Sequence, residues 1–447
     1  MRIYRHSLTW TIMFGVIALM FLRLPQMVAK QDAVVNTYSA LVEVDALARQ
    51  QYVDPITDDR LVEGAIRGMM LQLDPYSGYI SPEEWPAFER HSRGQFFGVG
   101  IELGMQDGRL TVIAPIEGSP AAQAGVQPGD LILSIDGKDL KRRSVFDVEG
   151  KLMGAVGTQV QVVILHPGAP EPRELTLTRV SLSLQTVRGF RRTANHHWDY
   201  LIDPQHGIGY IRVSDFREMT CSDFDKAIAE LNNGPLRGLI LDLRFNPGGF
   251  MHQAIAMADR FLRDGLIVST VTRRNAVDEY RAEADPSDLN IPVVVLMNSA
   301  SASASEIVAG ALQARKRATI VGERSFGKGS VQHLIHLVGQ QAAIKLTVAY
   351  YRLPDNRIIH RNTDNIDTQV WGILPDAEIT LAPDELRRVQ ESRRLLDTLS
   401  PEESPRALNP ADPPPDDHKL EILMDRQLDA ALSVIRNRID ARRAIAN

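Results

Sequence analysis

The apolar positions divide the chain into zones of different period. The 16 residues from Ser7 to Leu22 carry no charge; Arg2, Arg5, Arg23 and Lys30 flank them, and no acid occurs before residue 31. A cationic start followed by a short apolar run is the layout of an export signal, borderline in length for a spanning helix. Residues 1–29 are expected to be a signal peptide or signal anchor, with 7–22 as the membrane-entering segment. Met27-Val28-Ala29 has a small residue only at its last position, which leaves a cleavage point open. Val42, Leu47, Leu61, Ile66, Met69 and Met70 then recur near a helical repeat. They predict helices over 34–73, broken at Asp54-Pro55 and ended by Asp74-Pro75-Tyr76-Ser77-Gly78, within a helical region spanning 30–94.

Over 95–182 the pattern changes to short β-type runs between glycine turns: Leu110–Ile113, Leu131–Ile135 and Val160–Leu165. Between the first two, Gly118-Ser119-Pro120-Ala121-Ala122-Gln123-Ala124-Gly125 predicts a short helix closed by glycine. From 207 to 380 strands and helices alternate. Gly207–Val213, Leu239–Leu243 and Val293–Met297 are apolar runs of the kind covered on both faces, and helices over 251–262 and 305–314 follow two of them. This βαβ rhythm predicts a multi-domain α/β chain with its core over 183–385. Six prolines between Pro401 and Pro415 mark a linker over 386–417. Residues 418–447 predict an amphipathic helix, with Leu420, Ile422, Leu423, Leu428, Ala431, Leu432, Val434 and Ile435 on its apolar side. That side fits either another subunit, as a homo-oligomer contact, or the helix's own domain.

Length and composition narrow the function. With 447 residues, about three domains are expected. Hydrophobic residues at 44% and charged residues at 24% exclude a polytopic membrane protein and a wholly disordered chain. A net charge of −6 argues against a nucleic-acid partner. The single cysteine, Cys221, allows no internal disulfide and no multi-cysteine zinc site.

Three segments carry candidate chemistry. Asn298-Ser299-Ala300-Ser301-Ala302-Ser303-Ala304-Ser305-Glu306 lies between an apolar strand and an apolar helix. A serine in such a turn is exposed at the sheet rim, beside helix N–H groups that lack intrahelical partners and can face an oxyanion. Asp242-Leu243-Arg244-Phe245-Asn246-Pro247-Gly248-Gly249 is a second strand–turn–helix, whose glycines admit close backbone approach. Gly322-Glu323-Arg324-Ser325-Phe326-Gly327-Lys328-Gly329-Ser330-Val331-Gln332 is the third. It is a poor phosphate loop: Gly329 stands where a magnesium-binding hydroxyl belongs, and a strand pattern follows instead of a helix. Ser325 with Lys328 spells S-x-x-K, but the glycines oppose the helix that motif needs. The remaining reading is Lys328 as general base for Ser303.

Together these segments resemble the C-terminal processing peptidases, or tail-specific proteases. The run Gly118–Leu140 resembles a PDZ domain of the bacterial protease type. Trp371-Gly372-Ile373-Leu374-Pro375-Asp376 is similar too. The resemblance covers about 35–385 and implies a ClpP/crotonase-like α/β core with an inserted PDZ domain. It implies Ser303 as nucleophile, Lys328 as base and Gln332 as support, with an oxyanion hole from the N–H groups of Gly248 or Gly249 and Ala304. Gly98-Val99-Gly100-Ile101 falls where such domains hold their carboxylate-binding loop, so protein substrates with apolar C-termini are implied. No metal or cofactor is implied. One departure is Ala300, where the family often has glycine.

A lysine at its ordinary pKa of about 10.4 is protonated and useless as a base. Desolvation disfavours the ammonium, and Gly327 and Gly329 would let the backbone close around it. Gln332 can bond the amine without adding a charge that would raise its pKa. His333 and His336 follow the strand's alternation and read as sheet residues. The expected protein is an exported serine endopeptidase, periplasmic or extracytoplasmic, with inner-membrane anchoring through 7–22 left open. The alternatives are a PDZ scaffold with a silent core and a latent protease that awaits substrate or an adaptor.

Overall fold

The computed structural model describes residues 38–446, apart from 93–94, 107–108, 117, 128, 141–144, 184, 194–196, 340, 363–370 and 398–424. The expected signal or anchor at 1–29, its apolar run at 7–22 and the proline cluster lie outside the described residues. Among the described residues no helix is long and apolar enough to cross a membrane. The chain forms two compact units, residues 1–81 and 82–447.

In the first unit, helices over 38–51 and Asp58–Leu71 are separated at Asp54-Pro55. A proline disfavours helical geometry in the residue before it. Asp74 ends the segment by accepting the N–H groups of Tyr76 and Ser77 at 2.7 and 2.8 Å, and the strand Gly78–Ile80 follows.

The second unit opens with a β-domain. Its stem is the antiparallel pair Gln95–Gly98 and Val180–Ser183, so the domain leaves and rejoins the chain at one point, as an insertion does. Ile101–Gln106, Arg109–Pro115, Leu131–Ile135, Gln159–Leu165 and Arg173–Thr178 form its sheet in that order. Ile101–Gln106 is therefore an edge strand. Helix Val145–Leu152 packs beside it, with Val148 and Leu152 in the same buried cluster as Leu103.

In the core, Ile208–Val213, Gly238–Asp242, Val293–Met297 and Ala318–Gly322 run parallel in that order. Their side chains alternate between two buried clusters. Leu239, Leu241, Val293 and Val295 face helices Thr220–Leu231, Met251–Asp259 and Ala304–Ala314. Ile240, Val294, Leu296 and Val321 face the helix Arg426–Ala446 through Leu428, Ala431, Ile435 and Ile439. An apolar run with no polar alternation needs cover on both faces, and the C-terminal helix supplies the second cover.

Three expectations about the C-terminal region meet the structure here. Of the two readings left open for the apolar side of the C-terminal helix, the structure shows it packed on its own sheet: Gly238 leaves so little room that a Cβ there would lie 2.9 Å from the Ile435 side chain. The helix is described over Arg426–Ala446, and residues 418–424 of the expected helix lie outside the described residues. Residues 386–397, assigned to the linker, belong to the helix Pro383–Asp397. Its charged, arginine-rich sequence hid it beside the prolines. Shortening Ile435, fully buried in this interface, to alanine is expected to cost about 2–5 kcal/mol, read as a fall in the thermal unfolding temperature. An unchanged temperature would mean that the helix does not close the sheet.

Candidate active site

The three chemistry-bearing segments converge. Ser303 stands between the strand Val293–Met297 and the helix Ala304–Ala314, with φ 57° and ψ −113°. Left-handed φ at a residue with a side chain is strained and persists only where its surroundings enforce it. The neighbouring serines do that. Ser301 Oγ donates to Leu243 O at 2.8 Å, and Ser305 Oγ donates to Asn246 O at 3.0 Å. Ala302 N–H donates to Asn246 O, and Phe245 N–H to Asn298 Oδ1. The Ser/Ala repeat is thus a stitched turn: alternate hydroxyls lock it onto the Asp242–Gly249 turn.

That second turn carries the candidate oxyanion donors. Gly248 and Gly249 have φ of 108° and 139°. A Cβ on Gly248 would sit 2.7 Å from Ser303 Cβ and 3.0 Å from Ala304 N, so only glycine fits there. Ala304 N–H opens its helix, where no intrahelical carbonyl is available. The Gly248 N–H donates to Asn246 Oδ1 at 2.9 Å, an internal bond that sets it apart from Gly249.

Lys328 lies in a non-helical loop that runs into the strand Ser330–His336, against both the phosphate-loop and the S-x-x-K alternatives. Its Nζ donates to Gln332 Oε1 at 3.0 Å. Gln332 Nε2 donates to Ser330 Oγ at 2.9 Å and to Thr347 Oγ1 at 3.2 Å, which turns the amide oxygen toward the lysine. Gly329 is required, since a Cβ would lie 2.6 Å from His360 N. His333 and His336 are exposed on their strand, as are Leu334 and Ile335 between them. Cys221 is buried, its thiol pushed up to about 12 by desolvation, and it is no competing nucleophile.

Sequence reasoning missed the residue that joins the candidate nucleophile to the candidate base. Glu306 is fully buried. One carboxylate oxygen accepts the N–H groups of Ser303 and Lys328, each at 2.8 Å. The other accepts Ser325 Oγ at 2.5 Å and Gly327 N–H at 2.7 Å. Burial pushes its pKa up, and these donors pull it back. The signal was legible as Ser-x-x-Glu, the carboxylate half of a capping box.

A second missed group lies beneath the Asp242–Gly249 turn. Buried Asp242 accepts Tyr210 Oη at 2.7 Å and the Arg244 guanidinium at 2.7 Å, and it pairs with Arg393. Burial alone would raise its carboxyl, but Arg244 and Arg393 outweigh that and hold it well below the usual carboxylate range. Arg244 also reaches Asp425 at 2.7 Å, and Asp425 accepts Leu428 N–H in the first turn of the C-terminal helix. Arg393 donates to Arg244 O at 3.1 Å. Both C-terminal helices therefore hold the turn that presents Gly248 and Gly249.

Residues 207–379 match peptidase family S41, 111–165 match the PDZ domain, and 22–84 match the activating protease CtpB N-terminal domain. A carboxy-terminal-processing protease of Bartonella bacilliformis is 39% identical over 79% of this chain and 81% of its own length. A carboxyl-terminal-processing protease of Synechocystis is 36% identical over 74% of each chain. The solved photosystem II D1 C-terminal processing protease is 32% identical, covering 74% of this chain and 84% of that one, with a TM-score of 0.45. With a PDZ domain, an S41 core and this identity over most of its length, the chain belongs to the carboxy-terminal processing proteases and is a serine-type protease.

Proposed function

We propose that this protease is exported, captures a free protein C-terminus in its PDZ domain and cleaves peptide bonds with Ser303, Lys328 and Gln332. The observation that carries the site assignment is the Glu306 carboxylate, on one oxygen of which the main chains of Ser303 and Lys328 meet. Ser303 Oγ attacks the peptide carbonyl carbon and passes its proton to Lys328 Nζ. The carbonyl electron pair moves to oxygen, where the N–H groups of Ala304 and of Gly249 or Gly248 receive it. Lys328 then protonates the leaving amine, and water hydrolyses the acyl-enzyme. Gln332 holds the amine without charging it.

Capture is assigned to Gly98, Val99, Gly100 and Ile101. Val99 O and Gly100 O are taken by Ala121 N–H and Ile116 N–H, at 2.9 and 2.8 Å. A Cβ on Gly100 would meet Ser119 Cβ at 2.1 Å, so the loop is built for glycine. A peptide whose carboxylate sits on this loop can extend along the free edge of Ile101–Gln106, beside helix Val145–Leu152. Export, an extracytoplasmic location and anchoring through 7–22 rest on the cationic-then-apolar N-terminus. The CtpB-type match over 22–84 is the ground for an adaptor or regulator that acts through the N-terminal unit.

Lys328→Ala is expected to lower kcat about 10²–10⁴-fold. Lys328→Arg is expected to be no better, because guanidinium does not release its proton. In the parent enzyme kcat/KM should rise with pH as the amine loses its proton. Substrates with an amidated C-terminus should be cut more slowly, through KM. Undiminished cleavage by Lys328→Ala would remove the base assignment, and equal KM for free and amidated substrates would remove the capture loop.

A further inference from the structure

Arg393 stands on the helix Pro383–Asp397, beyond the stretch 207–379 that matches the peptidase core. Its guanidinium makes three contacts, all on the Asp242–Gly249 turn. One amino group pairs with Asp242, the other donates to Arg244 O at 3.1 Å, and the guanidinium carbon lies over the Phe245 ring, 4.9 Å from its centroid. Neutralising Asp242 does not require all of this. That carboxylate is fully buried and already accepts the Arg244 guanidinium at 2.7 Å, Tyr210 Oη at 2.7 Å and the Arg244 N–H at 3.0 Å. What Arg393 adds is a hold on Arg244 O and on the Phe245 ring.

Phe245 is where the turn bends. Its φ of 63° is left-handed, a strained conformation for a residue with a side chain, kept only where neighbours enforce it. Two neighbours do. From the segment of Ser303, Asn298 Oδ1 accepts the Phe245 N–H at 2.9 Å. From the C-terminal side, Arg393 fixes the carbonyl just before Phe245 and covers its ring. Downstream comes Asn246, whose Nδ2 donates to Val213 O at 2.8 Å and whose Oδ1 accepts the Gly248 N–H at 2.9 Å. Gly248 in turn packs so closely on the serine that a Cβ there would lie 2.7 Å from Ser303 Cβ. A bend relaxed at Phe245 therefore shifts the glycine N–H groups against Ser303, and such donors stabilise an oxyanion only when they are already in place.

We propose that Arg393 is a positioning residue for the reaction: by bracing Asp242, Arg244 and Phe245 from a helix outside the matched core, it sets where the N–H groups of Gly248 and Gly249 stand relative to Ser303. It acts through the turn rather than on the substrate. Lysine is no substitute, because a single ammonium meets Asp242 but does not present the planar fork that spans carboxylate, carbonyl and ring. The proposal rests on the assignment of Ser303 and of the oxyanion donors made above.

The test uses Arg393→Met, which removes charge and donors, and Arg393→Lys, which keeps the charge. The readouts are kcat and KM on a protein substrate, inhibition by a peptide boronate whose tetrahedral adduct on Ser303 uses the same oxyanion donors, and the thermal unfolding temperature, with rates taken well below the unfolding range. For Arg393→Met the expected result is kcat lower by about 10–100-fold, boronate affinity lower by a similar factor, and KM within about twofold of the parent. Arg393→Lys should recover the unfolding temperature yet stay at least about fivefold low in kcat and in boronate affinity. Parent kcat and boronate affinity in Arg393→Met would overturn the proposal, and with a lowered unfolding temperature would reduce Arg393 to a stabilising residue. An Arg393→Lys enzyme with parent kcat and boronate affinity would overturn it too, since charge alone would then suffice; this variant decides the matter if Arg393→Met does not fold. If the boronate forms no adduct with Ser303 of the parent, the underlying site assignment fails instead, and the two failures stay distinct.

Discussion

Ser303→Ala is expected to lower peptide-bond cleavage by at least about 10⁴-fold and to leave the fold and C-terminal capture unchanged. The loss is large because, on the proposed mechanism, Oγ is the atom that bonds to the substrate; binding and oxyanion donors alone retain only a small residue of catalysis. The fold should survive because alanine meets the same left-handed strain at φ 57° as serine does, and the other hydroxyls still hold the turn. Ser301→Ala and Ser305→Ala should behave in the opposite way. Each removes a buried hydroxyl that ties the turn to Leu243 or Asn246, at about 1–3 kcal/mol of stability, with a smaller loss of rate. Measuring cleavage and thermal unfolding side by side for the three variants separates nucleophile from stitches. Cleavage retained by Ser303→Ala would end the assignment.

Glu306→Ala is expected to lower both rate and stability. Four donors converge on this carboxylate: the N–H groups of Ser303, Gly327 and Lys328 and the hydroxyl of Ser325. Each buried donor left without an acceptor costs about 1–3 kcal/mol, so the unfolding temperature should fall by roughly 5–10 °C even after relaxation. The rate should fall by about 10²-fold or more, because the segments of nucleophile and base lose their common tether and small misplacements are costly. Glu306→Gln should rescue little: whichever way the amide turns, its NH₂ faces two donors. A Glu306→Gln enzyme with parent kcat and unfolding temperature would show that the carboxylate joins nothing that matters.

Much of this site was legible in the chain. The strand into Ser303, the helix out of it, and the spacing from Lys328 to Gln332 are local, and local patterns survive in sequence. The glycines around Lys328 read correctly as room for a close backbone, now explained by His360 N beside Gly329. Glu306 was missed although its offset from Ser303 is local, because a carboxylate at the third helical position is ordinary as a cap. Its contacts with Gly327 and Lys328 are long-range, and only the fold supplies them. The terminal helix shows the same limit. Its amphipathic pattern was plain, but the pattern is indifferent to which apolar face covers it.

By itself the sequence determined the order of the parts: a cationic and apolar start, a helical lead-in, a glycine-rich β-domain, and an α/β core whose turns carry Ser303 and Lys328. Periodicity, turn chemistry and motif spacing act over a few residues, so one chain suffices to read them. Tertiary structure alone decided that the C-terminal helix closes its own sheet. It also decided that Arg244 and Arg393 hold the Asp242–Gly249 turn through Asp242, and that Glu306 links Ser303 to the Lys328 segment. Those partners lie far apart along the chain, and what selects them is burial: a charge or donor taken out of water must find its counterpart wherever the fold delivers it.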